Sequence, residues 1–157
     1  PFAAVWLADV IGRFIRHGEP VVAQYAFQMR DSRGGWGLLE RTRVRPQYYV
    51  YQLYRHFGDE LVYAAADDPN LMVVAARRSG DGALTLMAIN LGDAAVERPL
   101  RLAGHTGGTA AVYRIDDTNL TNLPAVPDGR EVLPPLDLAD GATLTLPPRS
   151  ATLYVLP

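Results

Sequence analysis

The residues best suited to chemistry lie in and beside a polar, glycine-rich loop at residues 31–37. Trp36 sits between two glycines of this loop, which is an unusual place for a core residue, so ligand contact and a structural plug are both open interpretations. Glu40 is the carboxylate beside the loop, and a role as general acid or base would require a titratable partner that the neighbouring sequence does not offer. We therefore expect Glu40 to lie on the surface.

Metal binding is the second kind of chemistry to weigh. The adjacent acidic pairs at 67–68 and 116–117 invite a calcium site, but calcium takes about six or more oxygen ligands and no loop with alternating ligands is present. Aspartate in such places is typical of turns. The three histidines are His17, His56 and His105. None of them has the spacing of a zinc motif, so the sequence predicts no metal and no cofactor.

Composition narrows the class of protein. Of the 157 residues, 48% are hydrophobic, which is enough to bury a core. A net charge of −2 gives no electrostatic case for nucleic acid or an anionic membrane as partner, and the fifteen basic residues, all Arg, have no spacing that predicts a basic patch. No run of about 18 apolar residues exists, so we expect no membrane span. Because the chain begins at Pro1 without Met, we expect a fragment or a processed product.

Two helices and one strand must position the loop. Apolar residues recur at helical spacing over 3–17, and a basic last turn is followed by a glycine stop. Residues 20–27 are a nearly continuous apolar run, typical of a strand with both faces buried. Pro46 begins a second helix that runs to about Phe57, and its aromatic side chains surround most of the helix, so we expect several packing neighbours. The spacing places near one face of the first helix the residues Val5, Trp6, Val10, Phe14 and Ile15.

From Glu60 onward the pattern changes to short apolar runs separated by turn residues. Six or seven strands with turns about every eight to twelve residues are typical of an antiparallel β-sandwich. The stretch 118–140, which contains four prolines, is predicted to be a long connection. The predicted strands are 71–76, 84–90, 96–102, 109–115, 142–146 and 151–156, with 61–65 as a further candidate. The predicted fold class is therefore mainly β: an antiparallel β-sandwich preceded by an α/β segment of helix, strand and helix.

Several of these segments carry a family resemblance. They are Ala8–Phe14 in the first helix, the strand that ends near Tyr25, the loop Gly35-Trp36-Gly37-Leu38-Leu39, the helix that begins Arg45-Pro46-Gln47-Tyr48-Tyr49, and the strands 84–92 and 148–154 of the tail. Together they resemble the C-terminal end of retaining glycoside hydrolases of the (β/α)8-barrel, or TIM-barrel, superfamily, and are most similar in pattern to families 39, 44 and 51. The resemblance implies that residues 1–58 are the end of the barrel and residues 59–157 a C-terminal β-sandwich domain.

The resemblance also implies where the chemistry lies. Retaining glycosidases use two carboxyl groups about 5 Å apart. In this superfamily both would lie upstream of Pro1, so the resemblance implies no catalytic residue in this chain and no hydrolase activity of the chain alone. It places Tyr25 where such enzymes often carry an aromatic residue that stacks under the reactive sugar, with Phe27, Gln28 and Trp36 as alternatives for substrate contact. Burial between strand and helix is the competing interpretation of the aromatic residues.

Two hypotheses from different classes follow. In the first, the chain is the C-terminal region of a glycoside hydrolase acting on O-glycosyl bonds, with a structural, accessory sandwich and with carbohydrate as the partner of the parent enzyme. In the second, the sandwich is a non-catalytic carbohydrate-binding or interaction module. A chance resemblance in an unrelated two-domain protein is a third possibility. An exposed broken barrel edge would favour pairing with another copy, so we expect a homo-oligomer in solution.

Overall fold

The computed structural model describes residues 2–18, 28–31, 37–41, 43–118 and 131–157. The helices are α1 (Phe2–His17) and α2 (Pro46–Tyr54), and the strands are β1 (Arg30–Asp31), β2 (Leu39–Glu40), β3 (Arg43–Val44), β4 (Glu60–Val62), β5 (Leu71–Arg77), β6 (Leu84–Asn90), β7 (Val96–Pro99), β8 (Gly108–Ile115), β9 (Glu131–Leu138), β10 (Thr143–Leu146) and β11 (Ser150–Leu156). The chain is thus mainly β, as predicted. Both predicted helices and all seven predicted strands of the tail are present, whereas the predicted strand 20–27 lies outside the described residues.

The C-terminal strands form two antiparallel sheets. Six strands are ordered β4-β5-β6-β11-β8-β9, and β10 pairs with β7 in a separate two-stranded sheet. The hairpin β5–β6 pairs Leu71 with Asn90 and Arg77 with Leu84. The last strand, β11, lies between β6 and β8 and pairs with both. The last described strand therefore occupies an interior position of the large sheet.

The two faces of the six-stranded sheet are both covered. Successive side chains of a strand point to opposite faces. Val74, Met87 and Leu153 belong to one buried cluster, which they share with residues of α1 and α2. Val73 and Tyr154 belong to a second cluster, which they share with the leucines of β10. Because both faces are buried, β5 has an almost uninterrupted apolar sequence instead of a strict alternation.

Helix α1 packs through small residues together with Val5, Ile11 and Ile15. Ala8 and Gly12 are buried, and a Cβ atom on Gly12 would collide with Cε of Met72, so the missing side chain leaves the space that this methionine fills. Trp6 and Phe14, which the helical spacing places near the same face as Val5, are 55% and 39% exposed. The apolar face expected from the spacing is therefore buried only in part, because hydrophobicity does not reveal which face a helix uses when close approach requires small side chains.

Helix α2 has several neighbours, as its aromatic sequence predicts. It contacts α1 and β8, and its buried residues are Tyr49, Val50 and Leu53. Most of the other aromatic residues of this segment are partly buried against the same cluster. Within the described residues, no helix is long and apolar enough to cross a membrane.

The predicted long connection over 118–140 is partly wrong, since strand β9 occupies its second half. The strand includes Pro134 and Pro135, which cannot donate to a ladder of hydrogen bonds. It pairs only with β8 in the described sheet and so forms an edge, where proline is tolerated. The pairing shifts register between Ala110 and Val112, opposite the two prolines. The prolines therefore interrupt the pairing of β9 locally without abolishing the strand.

Candidate functional site

A small three-stranded sheet carries the described part of the candidate site. In it β1 pairs with β2 in parallel, and β2 pairs with β3 in antiparallel orientation. Of the predicted substrate contacts, only Gln28 is described; it is exposed, and its carbonyl oxygen accepts a hydrogen bond of 3.1 Å from the backbone N–H of Leu38. Tyr25, Phe27 and Trp36 lie outside the described residues. Gln28 therefore stands at the start of the sheet, with its side chain accessible.

Glu40 forms an ion pair with Arg45. The Oε2 atom of Glu40 lies 3.5 Å from a guanidinium nitrogen of Arg45, and Arg43 is its cross-strand neighbour. The Glu40 side chain is exposed, as predicted, whereas Arg45 is mostly covered. The ion pair links Glu40 on β2 to the residue that precedes α2, and so helps to hold the hairpin together. A general base would instead need a free lone pair aimed at a substrate proton.

The strands of this sheet carry charges of both signs, with Arg30 and Asp31 on β1, Glu40 on β2 and Arg43 on β3. Arg30 on β1, Arg41 in the turn after β2 and Arg43 on β3 are all exposed. Arg41 adopts φ 53°, so the tight turn projects it from the end of the hairpin. The register places Arg30 in one row with Leu39 and Val44, and Arg43 in the next row with Glu40 and Asp31, so the Arg30 and Arg43 side chains lie on opposite faces of the sheet.

The tyrosines of the tail are mostly unsuited to binding a sugar face. Tyr154 is buried, and the ring of Tyr113 stacks on His56 with centroids 5.8 Å apart. Tyr63, by contrast, is 94% exposed. An exposed aromatic platform is therefore limited to one of these three residues.

Tyr63 lies at the side of a groove of about 850 Å³ between the two C-terminal sheets. Aliphatic side chains of β5 and β6, among them Leu71, Val73 and Leu86, line it on one side, and β7 with residues 100–105 lines it on the other. This groove was not predicted from the sequence. The apolar strands could be recognised from the sequence. The packing of the two-stranded sheet on the six-stranded sheet could not.

Asp68, Asp116 and His105 accept hydrogen bonds from nearby backbone N–H groups. Asp68 accepts hydrogen bonds from the backbone N–H of Asn70 at 2.9 Å and from Arg98 at 2.6 Å, and Asp116 accepts one from the N–H of Thr118 at 2.9 Å. Nδ1 of His105 accepts a hydrogen bond from the N–H of Gly107. Across the described ranges, no group of three or more His, Cys, Asp or Glu side chains could hold a metal ion. Asp68 and Asp116 stabilise turns, as predicted.

No model of a protein family matches this sequence, and no curated protein matches it. Solved structures do match it, over nearly the whole chain in some cases. These structural neighbours are glycoside hydrolases. A bifunctional glucanase-xylanase from a metagenome library is 30% identical over 98% of this chain, with a TM-score of 0.74, and the chain spans 28% of that enzyme. A family 44 xyloglucanase of Paenibacillus polymyxa is 26% identical over 71% of this chain and 23% of its own length, with a TM-score of 0.59.

More distant neighbours share the fold. The α-L-arabinofuranosidase of Thermotoga maritima has a TM-score of 0.78 at 15% identity, over 97% of this chain and 37% of the enzyme. The neighbours are TIM-barrel enzymes of families 30, 44 and 51. Families 44 and 51 had been predicted from the sequence, family 30 had not, and family 39 remains a prediction. The chain spans less than two fifths of each of these enzymes.

Proposed function

We propose that this chain is the C-terminal region of a glycoside hydrolase that acts on O-glycosyl bonds. The observation that carries the proposal is the match to the glucanase-xylanase. That match has 30% sequence identity and covers 98% of this chain, so it includes both α1 and the β-strands. Since the chain spans 28% of that enzyme, the activity belongs to a longer parent enzyme. In this proposal the parent is a retaining glycosidase, and its catalytic carboxylates lie in the part of the barrel that this chain does not contain.

The proposal divides the chain at residue 58. Residues 1–58 supply the end of the barrel, with α1 as the seventh barrel helix and α2 as the eighth. Residues 59–157 are the C-terminal domain, an antiparallel β-sandwich made of the six-stranded and the two-stranded sheet. The buried cluster shared by the two sheets supports the sandwich, since packed sheets bury their inner faces against each other.

The proposed role of the sandwich is to bury the last barrel helices. Ala8 of α1 and Val50 and Leu53 of α2 are fully buried, and they share a cluster with Met87 and Leu153 of the large sheet. Full burial of a Val or Leu side chain stabilises a fold by about 1.5–3 kcal/mol. Loss of the sandwich would expose this cluster to water, so the accessory role is structural.

The outer side of α1 fits the same proposal. Phe2, Trp6 and Phe14 are 70%, 55% and 39% exposed. Residues four apart on a helix lie on one side of it, so these side chains form an apolar stripe. In the parent enzyme this stripe would face the preceding barrel unit.

Substrate contact is proposed for the segment that precedes α2. Tyr25, Phe27 and Trp36 offer aromatic faces to a sugar, and the exposed Gln28 offers an amide. Parallel barrels place their sites at the carboxyl ends of the strands, which is where a strand at 20–27 would put these residues.

A carbohydrate-binding module is the second candidate function, favoured by Tyr63 beside the groove. The lining of the groove is mainly aliphatic, whereas sugars are bound by aromatic faces together with polar side chains. Retardation of the chain by polysaccharide in affinity electrophoresis, abolished by Tyr63→Ala, would favour the module over the structural role.

The proposal is tested in the full-length parent enzyme. It should release reducing sugars from β-glucan or xylan, and removal of residues 60–157 should leave it insoluble or unstable. Val50→Asp in the buried cluster should reproduce part of that instability, while Tyr63→Asp on the surface serves as its matched control. A truncated enzyme that is soluble and fully active would contradict the structural role, and a full-length parent without glycosidase activity would contradict the proposed function.

A further inference from the structure

The three methionines of this chain differ widely in exposure. Met72 is 4% exposed and Met87 is fully buried, and both belong to the cluster that the helices share with the large sheet. Met29 is 60% exposed. Most of its apolar surface therefore remains in contact with water and is available to a ligand.

The backbone at Met29 is held in place although its side chain is exposed. The carbonyl oxygen of Met29 accepts a hydrogen bond of 2.9 Å from the N–H of Leu39. The carbonyl oxygen of Gln28 accepts one of 3.1 Å from the N–H of Leu38, which is itself buried. The Met29 side chain thus extends from a defined position beside the three-stranded sheet. A thioether on an unbranched side chain can adapt its shape to a ligand from such a position.

We propose that Met29 contacts the sugar chain of the substrate and that oxidation of Met29 by a peroxide weakens this contact. The inference rests on the proposed function, which puts the segment that precedes α2 at the substrate face of the barrel. Met29 directly follows Gln28, whose side chain is also exposed, so the two residues offer an apolar surface next to an amide. Burial of the C–H groups of a sugar ring against the thioether removes apolar surface from water.

Oxidation changes the chemistry of this contact. Hydrogen peroxide transfers one oxygen atom to Sδ of Met29: the O–O bond breaks, an S–O bond forms and water leaves, so the sulfur is oxidised by two electrons and the peroxide is reduced. The product is a polar sulfoxide in place of an apolar thioether. Because Met72 and Met87 are shielded by the core, Met29 reacts before them. The contact is therefore altered while the packing under the large sheet is still intact.

The 157-residue chain tests the selectivity of the oxidation. After treatment with dilute hydrogen peroxide, mass spectrometry of its peptides should show the sulfoxide at Met29 well before it appears at Met72 or Met87. In concentrated urea, which opens the core, the three methionines should react at similar rates. Similar rates in the folded chain would overturn the proposed site of oxidation.

The full-length parent enzyme, with β-glucan or xylan as substrate, tests the contact itself. Met29→Gln puts a polar group in place of the thioether. It should raise KM by about fourfold, the factor that corresponds to one buried CH₂ group, and leave kcat unchanged. Met29→Leu keeps an apolar side chain and should retain the KM of the unchanged enzyme. Peroxide should raise the KM of the unchanged enzyme and not that of Met29→Leu, and an equal rise in both would overturn the proposed sensitivity.

Leu136→Gln is the matched control, because Leu136 is an apolar residue of β9 that is 40% exposed. This variant should leave KM unchanged, and equal urea midpoints establish that both Gln variants fold. An active parent in which Met29→Gln has the KM of the unchanged enzyme would overturn this inference and leave the proposed function standing. A parent without glycosidase activity would contradict both.

Discussion

The hydroxyl of Tyr54 donates a hydrogen bond of 2.7 Å to the backbone carbonyl oxygen of Ala8, and so ties α2 to α1 across 46 residues of sequence. Burial raises the pKa of Tyr54 far above its ordinary value of 10.0, and the negative charge of Asp9 adds to the rise. Asp9 is itself held by Arg13, whose Nε lies 2.8 Å from a carboxylate oxygen. The two helices therefore form one unit under the large sheet.

Tyr54→Phe should lower the free energy of unfolding by about 1 kcal/mol, the usual loss for one neutral hydrogen bond. The effect should also depend on pH. The unfolded tyrosine loses its proton near pH 10 while the folded one retains it, so this group's contribution to stability is complete below about pH 10 and declines at higher pH. Urea unfolding at neutral pH and at alkaline pH measures both effects. In the Phe variant the alkaline decline should be shallower, and an unchanged slope would contradict this assignment.

Gly58 is a second point where the helices meet the sheet. A Cβ atom there would lie 2.5 Å from the carbonyl oxygen of Arg77, and its N–H donates to Oγ1 of buried Thr85 at 2.9 Å. Gly58→Ala should therefore destabilise the fold by about 1–3 kcal/mol, because backbone must move to make room. Gly80→Ala is the matched control, since nothing lies within 4 Å of its Cβ position. Thermal unfolding of the two variants should differ in midpoint, and equal midpoints would refute the close contact.

Asn90 joins two turns at one end of the sheets. Its Nδ2 donates to the carbonyl oxygens of Ala94 at 2.8 Å, Leu146 at 3.2 Å and Pro147 at 2.9 Å, while Oδ1 accepts from the N–H of Gly92 at 2.9 Å. The residue is 1% exposed. Loss of such a network leaves buried carbonyl groups without a donor.

Asn90→Ala should therefore cost about 2–3 kcal/mol in urea unfolding. Asn90→Asp should lower the free energy of unfolding at least as much, because a carboxylate cannot donate a hydrogen bond to the three carbonyl groups. Asn70→Ala, at an exposed position in the turn before β5, should have a small effect and serves as control. A small loss in Asn90→Ala would show that the network contributes little.

The strands were predictable from sequence because local pattern and packing agree in them. The run 84–90 has the same bounds in the prediction and in the structure, since its inner residues are apolar and turn residues flank it. Strand β9 was missed because Pro134 and Pro135 indicate a loop, and only the sheet order shows that it is an edge. Pairing partners are far apart in sequence, and no local pattern encodes them.

The candidate site was less predictable than the fold. Glu40 was predicted to lie on the surface because the neighbouring sequence offers no titratable partner for acid–base catalysis. Its exposed side chain confirms that prediction. The groove between the two C-terminal sheets did not follow, because the strands that line it are brought together by pairing between distant parts of the chain and not by a local pattern. Helix α1 shows the same limit, since Trp6 has the hydrophobicity of a core residue while Gly12 occupies the contact with the sheet.

The apolar stripe on α1 favours self-association of the chain. Phe2, Trp6 and Phe14 expose large apolar surfaces on one side of the helix. Burying them against a second copy would stabilise a dimer, at about 25 cal/mol for each Å² of apolar surface removed from water. We expect the 157-residue chain to form a dimer or a larger species in light scattering.

Trp6→Glu should shift the measured mass toward that of a monomer, because a charge within the stripe opposes its burial. Tyr63→Glu places the same charge at another exposed aromatic residue, away from α1, and should leave the mass unchanged. Equal unfolding midpoints for the two variants show that neither change acts through the fold. A monomeric unchanged chain, or an equal loss of mass in both variants, would contradict association through α1.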